Sequence, residues 1–191
     1  MTNLLKRLSG EVGLEVSDEF CAQASAYCDL LAKWNATHSL TSFKTKEDLA
    51  VNIIGSIYPS IFLQPFASCL DVGSGAGFPA VPLAILFIDA AFTLTEPKGK
   101  KYAFLQMCKI ELGLSNITVR NCRVEDIRDK FDLVTSRAVG SSELLSKITA
   151  NARRADTVTL LYKGDKEASS EAGQNARLFE SKFGKYITFQ G

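Results

Sequence analysis

The sequence predicts a doubly wound α/β protein: a mostly parallel sheet with a helical cap at its N-terminal end. Three observations carry that expectation. From Ser68 onward, short apolar runs alternate with segments of helix length. The first of those runs ends in three alternating glycines, Gly73, Gly75 and Gly77. Ahead of them, the first 65 or so residues place apolar side chains at helical spacing.

Taken in order, Ser17 or Asp18 caps a helix bearing Phe20, Ala24, Tyr27, Leu30, Leu31 and Trp34. A second helix from about Lys46 carries Leu49, Ile53 and Ile57 until Pro59 breaks it. SCLDV (68–72) reads as a strand running into GSGAG, followed by the helix-like PAVPLAILF. FTLTE is the second strand, and a helix from Lys98 to about Leu112 follows with Phe104, Leu105 and Cys108 inward. ITVRN and FDLVTSRA are strands three and four, then comes a helix near Glu143 to Ala150 and the strand TVTLLYKG. A last helix is expected over roughly Lys166 to Phe183, with KYITF as a closing strand. Residues 1–65 are thus a cap packed on a single core unit, 66–191.

Composition limits the function classes. Of 191 residues, 46% are apolar and 23% charged, the balance of an ordinary globule able to bury roughly 70% of its unfolded surface. No apolar run reaches the roughly 18 residues of a membrane helix; Pro79, Pro82 and Asp89 interrupt the richest stretch. The N-terminal residues do not read as a signal peptide. Five scattered cysteines without C-x-x-C spacing read as reduced thiols of a cytoplasmic protein. With His38 the lone histidine, a Ser/His triad or a His-based zinc site has little support, and no metal is expected. Trp34 reads as a core aromatic and His38 as a surface residue. Net charge is +1, but Lys98 to Arg137 holds nine basic residues against five acidic, a local basic face suited to an anionic partner.

Chemistry concentrates at the glycine loop. Glycine serves where the backbone takes positive φ or approaches a ligand too closely for a Cβ. The spacing is G-x-G-x-G, which matches neither the G-x-G-x-x-G dinucleotide loop nor a P-loop. Glu96 lies 23 residues past Gly73, at the tip of the second strand, where a carboxylate accepts hydrogen bonds from ribose hydroxyls. Loop and carboxylate together indicate an adenosine-containing cofactor, a nicotinamide or S-adenosylmethionine (SAM). The loop type favours SAM, as does Val124-Glu125 after the third strand, where SAM-dependent methyltransferases commonly place residues near the adenine.

On LDVGSGAGFPAVPLAI (70–85), Lys100-Lys101 and Phe104-Leu105, RVEDI (123–127), FDLVTSRAV (131–139), YKG (162–164) and LLAKWNATHSLTSF (30–43), the chain resembles the bacterial 16S ribosomal RNA methyltransferase G family, also called glucose-inhibited division protein B. The GFPAVP and SRA elements discriminate most, because generic methyltransferases of Rossmann-like fold lack both. The resemblance implies a Rossmann-like SAM-dependent methyltransferase fold and transfer of the SAM methyl group to N7 of a guanine in 16S rRNA. It further implies that Gly73, Gly75, Gly77 and Phe78 contact SAM, Glu96 its ribose and Val124-Glu125 its adenine region. Arg137 falls on the methionine or substrate side, and Lys100, Lys101, Arg123 and Lys163 are suited to RNA. The small ribosomal subunit or its RNA is the implied partner of a chain expected to act as a monomer. Ala80 stands where the family usually has a fourth glycine, and the family's usual His and Asp are not evident in VNIIGSIYPS.

The implied chemistry suits the residue types. Guanine N7 carries its own lone pair, so no general base is expected; alignment and electrostatics remain, with Arg123 and Arg137 in those roles. Three rivals are weighed beside it. A methyltransferase for a small molecule or protein needs a capped apolar acceptor pocket. A degenerate ribosome-binding module has no use for intact Gly73, Gly75, Gly77 and Glu96. A hydride-transfer enzyme is disfavoured by the glycine spacing.

Overall fold

The computed structural model describes residues 1–137, 140–164 and 176–190. Its seven strands form one sheet in the order β3-β2-β1-β4-β5-β7-β6. β1 (Ser68–Val72), β2 (Ala91–Thr95), β3 (Ile117–Arg120), β4 (Phe131–Ser136) and β5 (Arg153–Lys163) are parallel neighbours, while β7 (Gly184–Gln190) runs antiparallel to β5 and to β6 (Arg177–Ser181). The chain order reverses at β1, which has β2 on one side and β4 on the other. Ligands bind at such a switch point, outside the carboxyl ends of the strands.

Alternation along β1 shows why the sheet is covered on both faces. Cys69 enters one apolar cluster, and Leu70 and Val72 the other. The first cluster is larger and is shared with α1 (Thr2–Gly10), α2 (Asp18–His38), α3 (Lys46–Ile57), α4 (Ala80–Leu86) and α5 (Gly99–Glu111), through Leu5, Tyr27, Ile53, Leu83 and Phe104 among others. Leu145 of α6 (Ser142–Ile148) and Ile127 belong to the second. Residues 1–65 therefore bury their apolar stripe in the same core as the sheet.

The cap helices start where local hydrogen bonding dictates. Ser17 Oγ accepts from the Phe20 amide at 3.0 Å, and α2 stops at Ser39, which takes a left-handed φ of 50°. α3 opens with a reciprocal capping box, Thr45 Oγ1 accepting from the Asp48 amide while Asp48 accepts from the Thr45 amide. Trp34 packs edge-on against Phe104 and beside the exposed His38.

Most predicted elements lie within a few residues of their expected limits, and the exception is the last helix. Part of that segment, 166–175, lies outside the described residues, but Arg177–Ser181 is a strand and Lys182-Phe183 a turn. Pairing decides the difference: RLFES lines up with β7 from Arg177 opposite Thr188 to Ser181 opposite Gly184, and the Phe179 ring stacks on Phe62 at 3.7 Å.

Asp132 ties the amino ends of β1 and β4 together. Its Oδ2 accepts from the amides of Ala67 and Ser68 and from Ser68 Oγ at 2.9–3.0 Å, and Oδ1 pairs with Arg154. Burial alone would raise this carboxyl; the bonds from Ser68, Ala67 and Arg154 outweigh it and hold the group below its ordinary value. Asp132→Ala is expected to cost about 2 kcal/mol, read from denaturant melts. Because the folded group is the more acidic, that contribution is complete above about pH 4–5 and is lost as acid protonates it, so wild type and variant should converge toward pH 3. An equal gap at pH 7 and pH 3 would contradict this account.

Candidate cofactor and acceptor site

The glycine loop follows β1, with φ of 69° at Gly73, 58° at Gly75 and 98° at Gly77. Its glycines answer different needs. A Cβ on Gly77 would lie 2.7 Å from Val81 Cγ2 and 2.9 Å from Tyr27 Oη, so the packing of α2 and α4 leaves no room there. A Cβ on Gly75 would meet only Gly73 O and Lys101 Nζ, both at 3.7 Å. Gly77 is a packing glycine, whereas a Cβ at Gly75 would make only ordinary van der Waals contacts.

Glu96, one residue past β2, is 4% exposed and braces the loop. Its Oε2 accepts from the Gly75 amide and its Oε1 from the Lys98 amide at the start of α5, both at 2.9 Å. An ionised carboxylate offers about four acceptor positions, so two remain for a ligand. Deeper in, the Asp71 carboxylate is buried at the end of β1, and neither of its oxygens has a hydrogen-bond partner. Burial pushes this carboxyl up to about 7, the Ser74 hydroxyl restraining the rise and the Glu96 charge adding to it.

Tyr27 of α2 donates to Ala76 O at 2.5 Å, pinning the loop to the cap. Phe78, 8% exposed, is enclosed by the rings of Tyr27 and Phe43 at 5.4 and 5.6 Å. The Arg137 guanidinium lies over the Phe78 ring, 5.7 Å from its centroid, and its Nη2 donates to Asn52 Oδ1 on α3. Burial holds the Arg137 guanidinium below its ordinary value, yet arginine remains a cation. Phe78 is thus the platform under Arg137, and Arg137 is anchored to the cap.

The remaining predicted residues spread along the carboxyl edge. Val124 is buried in the second cluster, within the 3-10 turn Val124–Asp126 after β3, and Glu125 is exposed. Arg123 precedes that turn, exposed, and no ion pair among the described residues includes it. Lys100 is exposed on α5, whereas Lys101 reaches back to the glycine loop. Lys163, at the end of β5, donates to Gly140 O at 2.6 Å. The loop, Glu96, Phe78 and Arg137 are therefore joined by direct contacts, with Lys101 Nζ close to Gly75, while Arg123, Lys100 and Lys163 stand around them.

Sequence reasoning missed Tyr27, Asn52 and Asp71. Asp71 had a local signal, a charge inside an apolar strand; Tyr27 looked like any core aromatic, and the link from Asn52 to Arg137 is long-range.

The family model for rRNA small subunit methyltransferase G matches residues 20–189. The chain belongs to that family. Ribosomal RNA small subunit methyltransferase G of Wolinella succinogenes is 38% identical, with 91% of each chain covered, and that of Aliarcobacter butzleri is 34% identical, with 98% of this chain and 99% of the other covered. In fold the chain is similar to a methyltransferase from Geobacter sulfurreducens (TM-score 0.63, 9% identity, 100% and 96% covered). It is also similar to a coclaurine N-methyltransferase bound to N-methylheliamine and SAH (TM-score 0.53, 16% identity, 84% and 57% covered). This member of the methyltransferase G family is an enzyme, with a Rossmann-like fold and SAM as methyl donor.

The residues present fit SAM. The bare backbone at Gly75 is a cradle that a Cβ would fill, Glu96 keeps acceptor positions for ribose hydroxyls, and the unpartnered Asp71 carboxylate suits the cationic end of the molecule. Two outcomes follow. Gly75→Val should lose SAM binding in titration calorimetry and lose some melting temperature through a β-branched residue at φ 58°, while Gly77→Ala should lower the melting temperature because its new Cβ also collides with Val81 and Tyr27. With Asp71 titrating near 7 and its ionised form preferred by a cationic ligand, SAM affinity should fall about tenfold from pH 8 to pH 6. Asp71→Asn should bind more weakly and show no such pH dependence; the same pH profile in both proteins would remove Asp71 from the site.

Proposed function

We propose that this chain methylates N7 of a guanine in 16S rRNA, acting in the cytoplasm as a single copy on the small ribosomal subunit or its RNA. The observation that carries this reading is Arg137, a cation stacked on the glycine-loop residue Phe78 and held by Asn52 at the carboxyl edge of the sheet. What supports the substrate is the activity for which relatives matching over nearly the whole chain are named, together with the exposed basic residues Arg123 and Lys100 near that edge.

In this reading Gly73 and Gly75 accommodate the adenosine half of SAM, with Glu96 on the ribose and Val124-Glu125 beside the base. Bound SAM supplies an electrophilic methyl group. Guanine N7 is a neutral lone-pair nucleophile, so the protein removes no proton before transfer. Its task is alignment, which the rigid Phe78–Arg137–Asn52 stack performs by offering a guanidinium of fixed plane to a carboxylate or a base edge. The purine gains positive charge on methylation, and the carboxylates of Asp71 and Glu96 at the loop favour that change. Arg123, Lys100 and Lys163 contribute charge toward RNA phosphates.

Two measurements test this. Mass spectrometry of small-subunit rRNA from cells lacking the protein should show one N7-methylguanosine missing, restored by the wild-type chain; an unchanged modification profile would refute the proposal. Arg137→Ala and Arg137→Lys should each slow single-turnover methyl transfer on the order of 100-fold, since misalignment alone has that effect. The half-buried bond from Arg137 to Asn52 sets the expected stability cost of the alanine variant at roughly 1–3 kcal/mol, so rates are to be compared well below both melting temperatures.

A further inference from the structure

Arg137 also lines a second cavity, of about 410 Å³, a size typical of small-ligand sites. The end of β5 and the turn between β6 and β7 build the rest of it, and its charged lining residues among those described are all cations: Arg137, Lys163, Lys182 and Lys185. Register accounts for the clustering. β7 pairs antiparallel with β5 so that Lys185 lies directly opposite Lys163. Like charges in that position destabilise a sheet. Glu180, opposite Lys185 on β6, pairs with it at 2.9 Å, and Glu11 of the cap pairs with Lys182. These are half-exposed ion pairs of the kind worth little in water, so an incoming dianion competes with them readily.

The wall facing α3 is closely packed. At Gly55 a Cβ would stand 3.3 Å from Phe183 Cβ and 3.7 Å from Tyr186 Oη, so the missing side chain lets the turn close on the helix. Tyr186 Oη lies 3.3 Å from Ser181 Oγ and stays within reach of the cavity. Arg137 thus stands at both the SAM-side platform of Phe78 and this cationic chamber.

We infer that the chamber is the subsite for the acceptor nucleotide: the target guanosine, turned out of its RNA stack, enters beside Arg137 with its phosphate on Lys182 and Lys185. The inference rests on the proposed rRNA function and adds the place and the anion. N7 lies on the major-groove edge, and the major groove of A-form RNA is too deep and narrow for side chains to read. Enzymes acting on such an atom take the base out of the helix, which calls for a pocket of nucleotide size with phosphate-binding cations at its wall.

The test compares guanosine 5′-monophosphate with guanosine as inhibitors of small-subunit RNA methylation by the full chain. Wild type should be inhibited competitively with RNA, the monophosphate at least about tenfold more strongly than the nucleoside. In Lys182→Gln/Lys185→Gln that advantage should vanish, while SAM affinity and melting temperature stay at the wild-type values. Lys33→Gln, on the exposed surface of α2, should keep it. Each single lysine variant is measured as well, so that a folding defect in the pair does not decide the result. Equal potency of the two compounds on wild type, absence of inhibition by both, or an advantage that persists in the variants would overturn the subsite. Failure of wild type to methylate any small-subunit RNA would instead overturn the proposed function.

Discussion

The site depends on one carboxylate. Glu96 grips the Gly75 amide with one oxygen and the Lys98 amide with the other, so the loop after β1 and the start of α5 share a single rigid strut. Hydrogen bonds to an ionised acceptor are among the stronger ones a protein makes, and this one is shielded from water. Without it, three alternating left-handed glycines would sample many loop shapes, and the entropy of fixing them would fall on ligand binding. The backbone around Glu96 is tied in its turn: its amide donates to Arg120 O and its carbonyl accepts from Asn121 Nδ2. The strut thus fastens the ends of three neighbouring strands at the reversal of the sheet.

Around that strut the protein gathers charges at the carboxyl edge of the sheet. Asp71 lies buried without a hydrogen bond, and Arg137 with three lysines lines the chamber. Groups of this kind lower stability, and their neighbourhood at one edge of the sheet is where sequence-to-fold consistency is expected to give way to function. Opposite that edge, Asp132 satisfies two amides, a hydroxyl and a guanidinium at once. The sheet is well satisfied at its amino end and left polar and open at its carboxyl end.

How much of this was legible varied with range. Parallel strands buried on both faces give apolar runs such as SCLDV, and β1 has the predicted limits. The capping residues of α2 mark its start in the sequence itself. The segment RLFES was misread because its strand character comes from pairing with β7; the nearby Gly184 turn between two short alternating runs was the local hint of a hairpin. In the site, the loop and Glu96 were visible as a spacing. The roles of Phe78 as a platform and Asn52 as the partner of Arg137 depend on contacts between elements far apart in the chain, which no local pattern encodes.

The strand order has a consequence for how the molecule is assembled during synthesis. β7 follows β6 in the chain yet lies inside it, between β6 and β5. β6 therefore has nothing to join until β7 exists. Until then Tyr162 and Leu160 of β5 lack their neighbour, and α3 faces no turn at Gly55. A nascent chain halted before this hairpin can complete the glycine loop and its strut, but not the cationic chamber. In chain order, the segments that form the glycine loop and its strut precede those that close the cationic chamber.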